Sequence, residues 1–222
     1  MDEQALNPIM ALSYHSELAL CYTRGTKKMQ CDNEANVYKL LGEFCVQFEQ
    51  VCRSMEVCIR TILANQGLTN ERVHEILLAD YTAEPLRKLL QSLVGEVLAK
   101  DSQDVKICSK VFGKLQELTS ERNDIVHSKW FILDVTNDVG TKNFLVLGEK
   151  LHANREGAAT KRLKLDRARL EKNIAKCKEA SILLKLLMRC ILGLRKLNEC
   201  YKLNKDGLTW SKDALRPLKL NV

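Results

Sequence analysis

Proline and glycine are scarce in this sequence. With 3 prolines and 10 glycines in 222 residues, the chain has few of the residues that disordered or all-β chains use. No run of 18 apolar residues occurs, and the most apolar stretch, 182–197, is interrupted by lysines and arginines, which argues against a membrane span. The N-terminus lacks the basic and apolar segments of a signal peptide. We therefore expect a soluble, cytoplasmic protein with no membrane partner.

Patterns for binding a metal or a nucleotide are also missing. The nine cysteines form no Cys-x-x-Cys pair and no Cys/His cluster at zinc-ligand spacing, and the chain has no Walker-type lysine motif. Cys45, Cys52, Cys108 and Cys190 occupy the apolar phase of predicted helices, which is typical of reduced thiols in a cytosolic core. The sequence predicts no metal site and no cofactor.

What the chain does contain is apolar residues at helical spacing over most of its length. The predicted helices cover 34–65, a short segment from a cap at 69–71 to about 78, a segment beginning near Thr82, 102–126 and 180–201. Between 130 and 150 the period changes to that of two short strands, and residues 152–165 read as a polar connection. We therefore predict an all-α helical bundle at 34–202 with a small β-hairpin insertion at about 130–150, an N-terminal extension at 1–33 and a C-terminal tail at 203–222.

The end of the 102–126 helix carries the most informative residues. Arg122 falls within the apolar stripe of this helix, where an unpaired charge would be costly, so it must reach a partner or a cleft. His127 follows five residues later, about 140° further round an ideal helix. The two side chains cannot share one face of a straight helix, but they could converge where the helix ends or across an interface between two copies of the chain.

The stretch from Arg122 to His127, with Asn123 directly after the arginine, resembles the Arg-x4-His motif of the HEPN superfamily. The resemblance implies a HEPN-like helical bundle and a metal-independent endoribonuclease that cleaves single-stranded RNA and leaves a 2′,3′-cyclic phosphate. It also implies that Arg122 binds the scissile phosphate, that His127 is the general acid/base and that Asn123 orients one of them. A homodimer would bring two motifs into one composite site.

One position departs from part of the family. Toxin members that pair with a nucleotidyltransferase antitoxin carry a tyrosine two residues after the histidine, where this chain has Lys129. The resemblance therefore favours a defence or abortive-infection type of ribonuclease, with an antitoxin or regulatory protein as a further partner.

A basic stretch at 161–178 follows the predicted hairpin, and much of the net charge of +7 is concentrated there. Its functional interpretation is an RNA-binding surface that contacts phosphates; the alternative is a solvated helix face. The candidate RNA-binding residues are Lys161, Arg162, Lys164, Arg167 and Arg169.

Two functions remain open from sequence alone. The first is the endoribonuclease, to which Glu43, Glu49 or Glu56 of the first helix could add an acid. The second is a non-catalytic helical dimer that binds RNA or protein, in which His127 merely caps the carbonyls at a helix end. We expect His74, which has no comparable neighbours, to be a surface residue.

Overall fold

The computed structural model describes residues 34–99, 101–136, 142–154, 157–205 and 207–216. The expected N-terminal extension, 1–33, and the last residues of the expected tail lie outside these ranges. Over the described ranges the fold is mostly helical with a small antiparallel sheet. No helix within them is long and apolar enough to cross a membrane.

Five helices of two turns or more follow the apolar spacing of the sequence. They are α1 (Glu34–Asn65), α2 (Glu71–Leu78), α3 (Ala83–Val97), α4 (Ser102–Val126) and α5 (Arg167–Ile191). The start of α2 is fixed by Asn70, whose side chain accepts hydrogen bonds from the backbone N–H groups of Arg72 and Val73. Asp101 caps α4 in the same way. The predicted bounds of α1, α2 and α4 are confirmed.

The predicted hairpin is instead part of a three-stranded antiparallel sheet. Strands β1 (Lys129–Thr136), β2 (Lys142–Asn154) and β3 (Gly157–Lys164) pair in the order β1-β2-β3. The expectation of a polar connection after residue 151 is therefore wrong. Strand β3 begins with glycine and two alanines, so its sequence lacks the apolar alternation that marks a strand.

The end of the chain also differs from expectation. The helix predicted at 180–201 is the second half of α5, which ends at Ile191 before Gly193 adopts a φ of 70°. A single turn, α6 (Leu197–Cys200), leads into a hairpin of β4 (Tyr201–Asn204) and β5 (Gly207–Trp210), and a 3-10 turn follows at Asp213–Leu215. The hydroxyl of Tyr201 donates to the carbonyl of Leu183 at 2.7 Å, which ties β4 to α5.

The chain divides into two compact units. Among the described residues, one unit contains 34–37 and 129–166, with the three-stranded sheet; the other contains 38–128 and 167–216, with most of the helices. In the helical unit α1 packs on α5, because Cys58 contacts the carbonyl of Leu184 at 3.8 Å and Asn65 donates to that of Ile191 at 3.2 Å. The largest fully buried side chains of this unit include Phe44, Phe48, Met55, Phe112 and Tyr201.

His74 corrects one further expectation. It is 3% exposed rather than a surface residue, and its Nε2 lies 2.6 Å from the carbonyl oxygen of Leu68, to which it donates. The bond closes the loop between α1 and α2, so this histidine has a structural role.

Candidate functional site

The candidate site is built where α4 ends. His127 has φ −101° and ψ 12°, outside the helical range, and its backbone N–H donates to the carbonyl of Asn123 at 3.2 Å. The hydroxyl of Ser128 donates to the carbonyl of Asp124. These two bonds satisfy carbonyls that the end of an α-helix leaves without partners. Because the backbone leaves the helix at His127, the ring does not have to lie about 140° round the helix from Arg122, as it would on a continuous helix.

The side chains of Arg122 and His127 meet within one chain. Arg122 Nη1 lies 3.2 Å from His127 Nε2 and 3.3 Å from Asn123 Oδ1. Of the two ways in which these residues could converge, the structure shows the first, at the helix end. Because a guanidinium has no acceptor, this contact is a hydrogen bond in the tautomer whose Nε2 accepts and whose Nδ1 carries the proton. Arg122 and Asn123 are half-buried and His127 is exposed, so this ring nitrogen is held beside a cation at the surface.

The aromatic ring of Phe48, on α1, contacts the guanidinium of Arg122. The guanidinium carbon of Arg122 lies 5.6 Å from the centre of the Phe48 ring, within the range of a cation–π contact. Phe48 is 2% exposed, so the ring is itself fixed by the core. This contact explains how an arginine fits on the apolar stripe of α4: the guanidinium lies near the ring of Phe48, and its Nη1 contacts Asn123 and His127.

Cys52 completes the surroundings of the arginine on α1. Burial raises the pKa of this thiol to about 12; Glu49 acts in the same direction, and Arg122 acts against it. Cys52 is therefore a neutral thiol at physiological pH and does not provide a nucleophile. Of the three glutamates considered as additional acids, Glu43 forms an ion pair with Lys178 at 3.6 Å. The charges of Glu49 and Glu56 both raise the pKa of Cys52.

The site was compared with known proteins only through the whole chain. Comparisons with protein-family models, curated proteins and solved structures found no match for this chain. The described residues also contain no group of three or more histidine, cysteine, aspartate or glutamate side chains arranged to hold a metal ion. The interpretation of the site therefore depends on its own residues.

The five candidate RNA-binding residues do not share one element. Lys161, Arg162 and Lys164 lie on β3 in the sheet unit, and Arg167 and Arg169 lie on α5 in the helical unit. The alternative, a single helix face over 161–178, is wrong for the part before Arg167, because β3 ends at Lys164 and two residues separate it from α5. Lys161 and Arg162 are exposed.

Most of these cations have an acidic neighbour. The ion pairs are Arg162–Glu149 at 3.9 Å, Lys164–Asp166 at 3.6 Å, Arg167–Glu171 at 2.7 Å and Arg169–Glu121 at 2.9 Å. The last pair is closest to the motif along α4, since Glu121 directly precedes Arg122. It links the end of α4 to the start of α5 and helps to fix the helix end on which the site is built.

Proposed function

We propose that this protein is a metal-independent endoribonuclease of the HEPN type that cleaves single-stranded RNA. The observation that carries the proposal is the 3.2 Å contact of Arg122 Nη1 with His127 Nε2 at the exposed end of α4. A guanidinium is suited to a phosphodiester, because it stays charged and can donate two parallel hydrogen bonds. An exposed histidine beside it is suited to proton transfer near neutral pH.

The reaction is transfer of a phosphoryl group within the RNA. The ribose 2′-oxygen attacks the adjacent phosphorus, the bond to the 5′-oxygen breaks, and a 2′,3′-cyclic phosphate remains. A base takes the proton of the 2′-hydroxyl, and an acid gives a proton to the leaving 5′-oxygen. In our proposal Arg122 turns its N–H groups to the phosphate, where negative charge increases in the transition state. That exchange of partners frees Nε2 of His127 to accept a proton, while Asn123 Oδ1 keeps the guanidinium in position.

A homodimer follows from the number of acid/base groups. One motif supplies a single histidine, whereas the base and the acid act on different oxygens. A second copy of the chain would supply the second histidine, as the resemblance to the HEPN superfamily implies. A defence role, with an antitoxin or regulatory protein as partner, has the support of that resemblance alone.

The experiment is cleavage of a mixed single-stranded RNA in EDTA. We expect cleavage by the wild type and strong loss in Arg122→Ala and His127→Ala, with cyclic phosphate ends on the products. Arg72→Ala is the matched control, because Arg72 is an exposed arginine of α2 whose side chain makes no bond to a described residue. The proposal fails if the folded wild-type dimer leaves RNA uncut, or if cleavage survives in both motif variants.

The second candidate is a non-catalytic helical dimer that binds RNA or protein. The exposure of Lys161 and Arg162 on β3 favours it. In this case His127→Ala would change neither binding nor RNA length. A double change of Lys161 and Arg162 to alanine would weaken RNA binding and reduce its dependence on salt.

A further inference from the structure

A groove of about 700 Å³ lies between α1 and α5 in the helical unit. On α1 it is lined by residues of the two turns from Gln50 to Val57, and on α5 by residues between Leu184 and Leu192. Val57 follows Phe48 by nine residues, which is about 180° round a helix. The groove therefore opens on the opposite side of α1 from the ring that holds Arg122, and it takes no part in the candidate site.

The floor and one end of the groove are held by specific contacts. The Cys58 thiol contacts the carbonyl of Leu184 and keeps the two helices together beneath it. At the end, the guanidinium of Arg189 donates to three consecutive carbonyls, those of Ala214, Leu215 at 3.0 Å and Arg216 at 2.9 Å. This clamp places the 3-10 turn against α5, so that Leu215 closes the groove. The shape is thus preformed by buried contacts and ion–dipole bonds.

The wall of the groove leaves large apolar side chains in contact with water. Val57 is 45% exposed, Leu192 is 48% exposed and Leu194 is 45% exposed, and Met188 lies among them. Single exposed aliphatic residues are ordinary on a protein surface, but a contiguous group in a concave site marks an interaction surface. Covering these residues would remove apolar area from water, which favours a partner with an apolar stripe.

The charged residues around the groove indicate the sign of the charge that the partner carries. Arg53 and Lys185 line it and are exposed, and neither forms an ion pair within the described part of the chain. No aspartate or glutamate lies among its lining residues. A second copy docked symmetrically would place the same cations opposite one another, and like charges across an interface are unfavourable. An acidic partner satisfies both cations.

The dimensions indicate the form of the partner. From Gln50 to Val57 the wall rises about 10.5 Å, which equals the distance between the first and third anchors of a helix that presents apolar residues at i, i+4 and i+7. We propose that this groove binds an acidic amphipathic helix of another protein, with its apolar stripe on Val57, Met188 and Leu192 and its carboxylates beside Arg53 and Lys185.

The test uses a synthetic peptide of about 16 residues, long enough to form a helix, with leucines at i, i+4, i+7 and i+11 and glutamates on its other faces. Its binding to the full chain is measured by fluorescence anisotropy. Two controls accompany it: a peptide of the same composition with the leucine stripe scrambled, and one with lysine in place of glutamate. Ile76→Asp on α2 is the matched protein control, because Ile76 is 76% exposed and lies outside the groove.

We expect the striped acidic peptide to bind the wild type and the Ile76→Asp variant equally. Val57→Asp should weaken it by about tenfold or more, because an unpaired carboxylate would be buried in the interface. The double change Arg53→Glu and Lys185→Glu should weaken the acidic peptide and strengthen the basic one. Absence of binding, equal binding of the scrambled peptide, or equal loss in Ile76→Asp would overturn the proposal. Self-association of the wild type that Val57→Asp abolishes would also overturn it, by identifying a second copy as the occupant.

Discussion

Replacing Phe48 with leucine tests whether the ring holds Arg122 in place. The substitution keeps an apolar side chain at a position that is 2% exposed but removes the aromatic face that lies 5.6 Å from the guanidinium carbon. A cation–π contact is worth about 0.5–1 kcal/mol at exposed sites and about 2 kcal/mol when desolvated. Arg122 is half-buried, so we expect about 1 kcal/mol from the contact, in addition to a packing cost of up to about 1.5 kcal/mol.

A double-mutant cycle separates the two contributions. In an Arg122→Gln background the cation is absent, and Phe48→Leu should then carry only the packing cost. The free energy of unfolding of the four proteins, measured in urea, should give a coupling energy of about 1 kcal/mol between the two positions. Under the proposed function, the same Phe48→Leu variant should also cleave RNA more slowly, because Arg122 would no longer be held in position.

The matched control is Phe44→Leu. Phe44 is fully buried on α1 and its ring centre lies 6.4 Å from that of Phe48, so its loss disturbs the same part of the core. A cycle between Phe44 and Arg122 should be additive within about 0.3–0.5 kcal/mol. The reasoning is refuted if the Phe48–Arg122 coupling is equally small, or if the two phenylalanines couple equally to the arginine.

Two further predictions concern stability. A Cβ at Gly148 would lie 2.5 Å from Cζ3 of Trp130, so Gly148→Ala should destabilise the sheet by about 1–3 kcal/mol in thermal unfolding followed by tryptophan fluorescence. The control is Gly113→Ala, whose Cβ would meet no atom within 4 Å and which should be neutral or stabilising. Equal melting temperatures of the two variants would contradict this prediction. Hydrogen bonds from Arg87 hold the pKa of Glu84 below its usual 4.5, so this carboxylate stabilises the fold above that pH and the stabilisation is lost as pH falls through the lowered pKa. Unfolding measured between about pH 6 and 3 should show a shallower loss in Glu84→Gln, and an unchanged slope would contradict the assignment.

The sequence predicts the elements whose local signals agree with their environment. The apolar spacing along α1 predicts its buried face correctly. Its members that lie in the core include Val37, Phe44, Phe48, Val51 and Met55. The capping residue Asn70 marks the start of α2, since a cap depends on only a few neighbouring residues. Apolar spacing and helix caps depend on residues close together in the chain, and the structure agrees with both.

The elements that the sequence does not reveal depend on pairing with distant residues. Strand β3 reads Gly-Ala-Ala-Thr-Lys-Arg-Leu-Lys and resembles a polar connection, but β2 is long enough to pair with it along its whole length. Backbone hydrogen bonds to β2 therefore stabilise β3 as a strand, although its side chains lack a strand pattern. The β4–β5 hairpin could have been found, because Gly207, at φ 121°, follows Asp206, and an Asp-Gly pair often marks a hairpin turn.

The candidate site shows the same division. The spacing of Arg122 and His127 allows a contact at the end of α4 as one of two arrangements, the other being a contact between two copies of the chain, and the structure shows the first. Phe48, which contacts the arginine, and Cys52, whose pKa the arginine lowers, come from a helix far earlier in the chain, where their spacing indicates only core residues. A cation on an apolar stripe does imply a partner, but the sequence does not say which buried residue of another helix supplies it.

The contact within one chain makes the number of histidines in the site a measurable quantity. If each cleavage needs His127 from both subunits, one as base and one as acid, a dimer of wild type and His127→Ala is inactive. When the two proteins are mixed equally and exchange subunits at random, only about a quarter of the dimers are fully wild type, so activity should fall to about a quarter of that of undiluted wild-type protein at the same total concentration. If each chain acts alone, activity should fall to about half. Dilution of wild type with Arg72→Ala is the control and should leave activity unchanged. A linear fall across mixing ratios would refute the composite site while leaving the roles of Arg122 and His127 intact, whereas a quadratic fall requires both histidines.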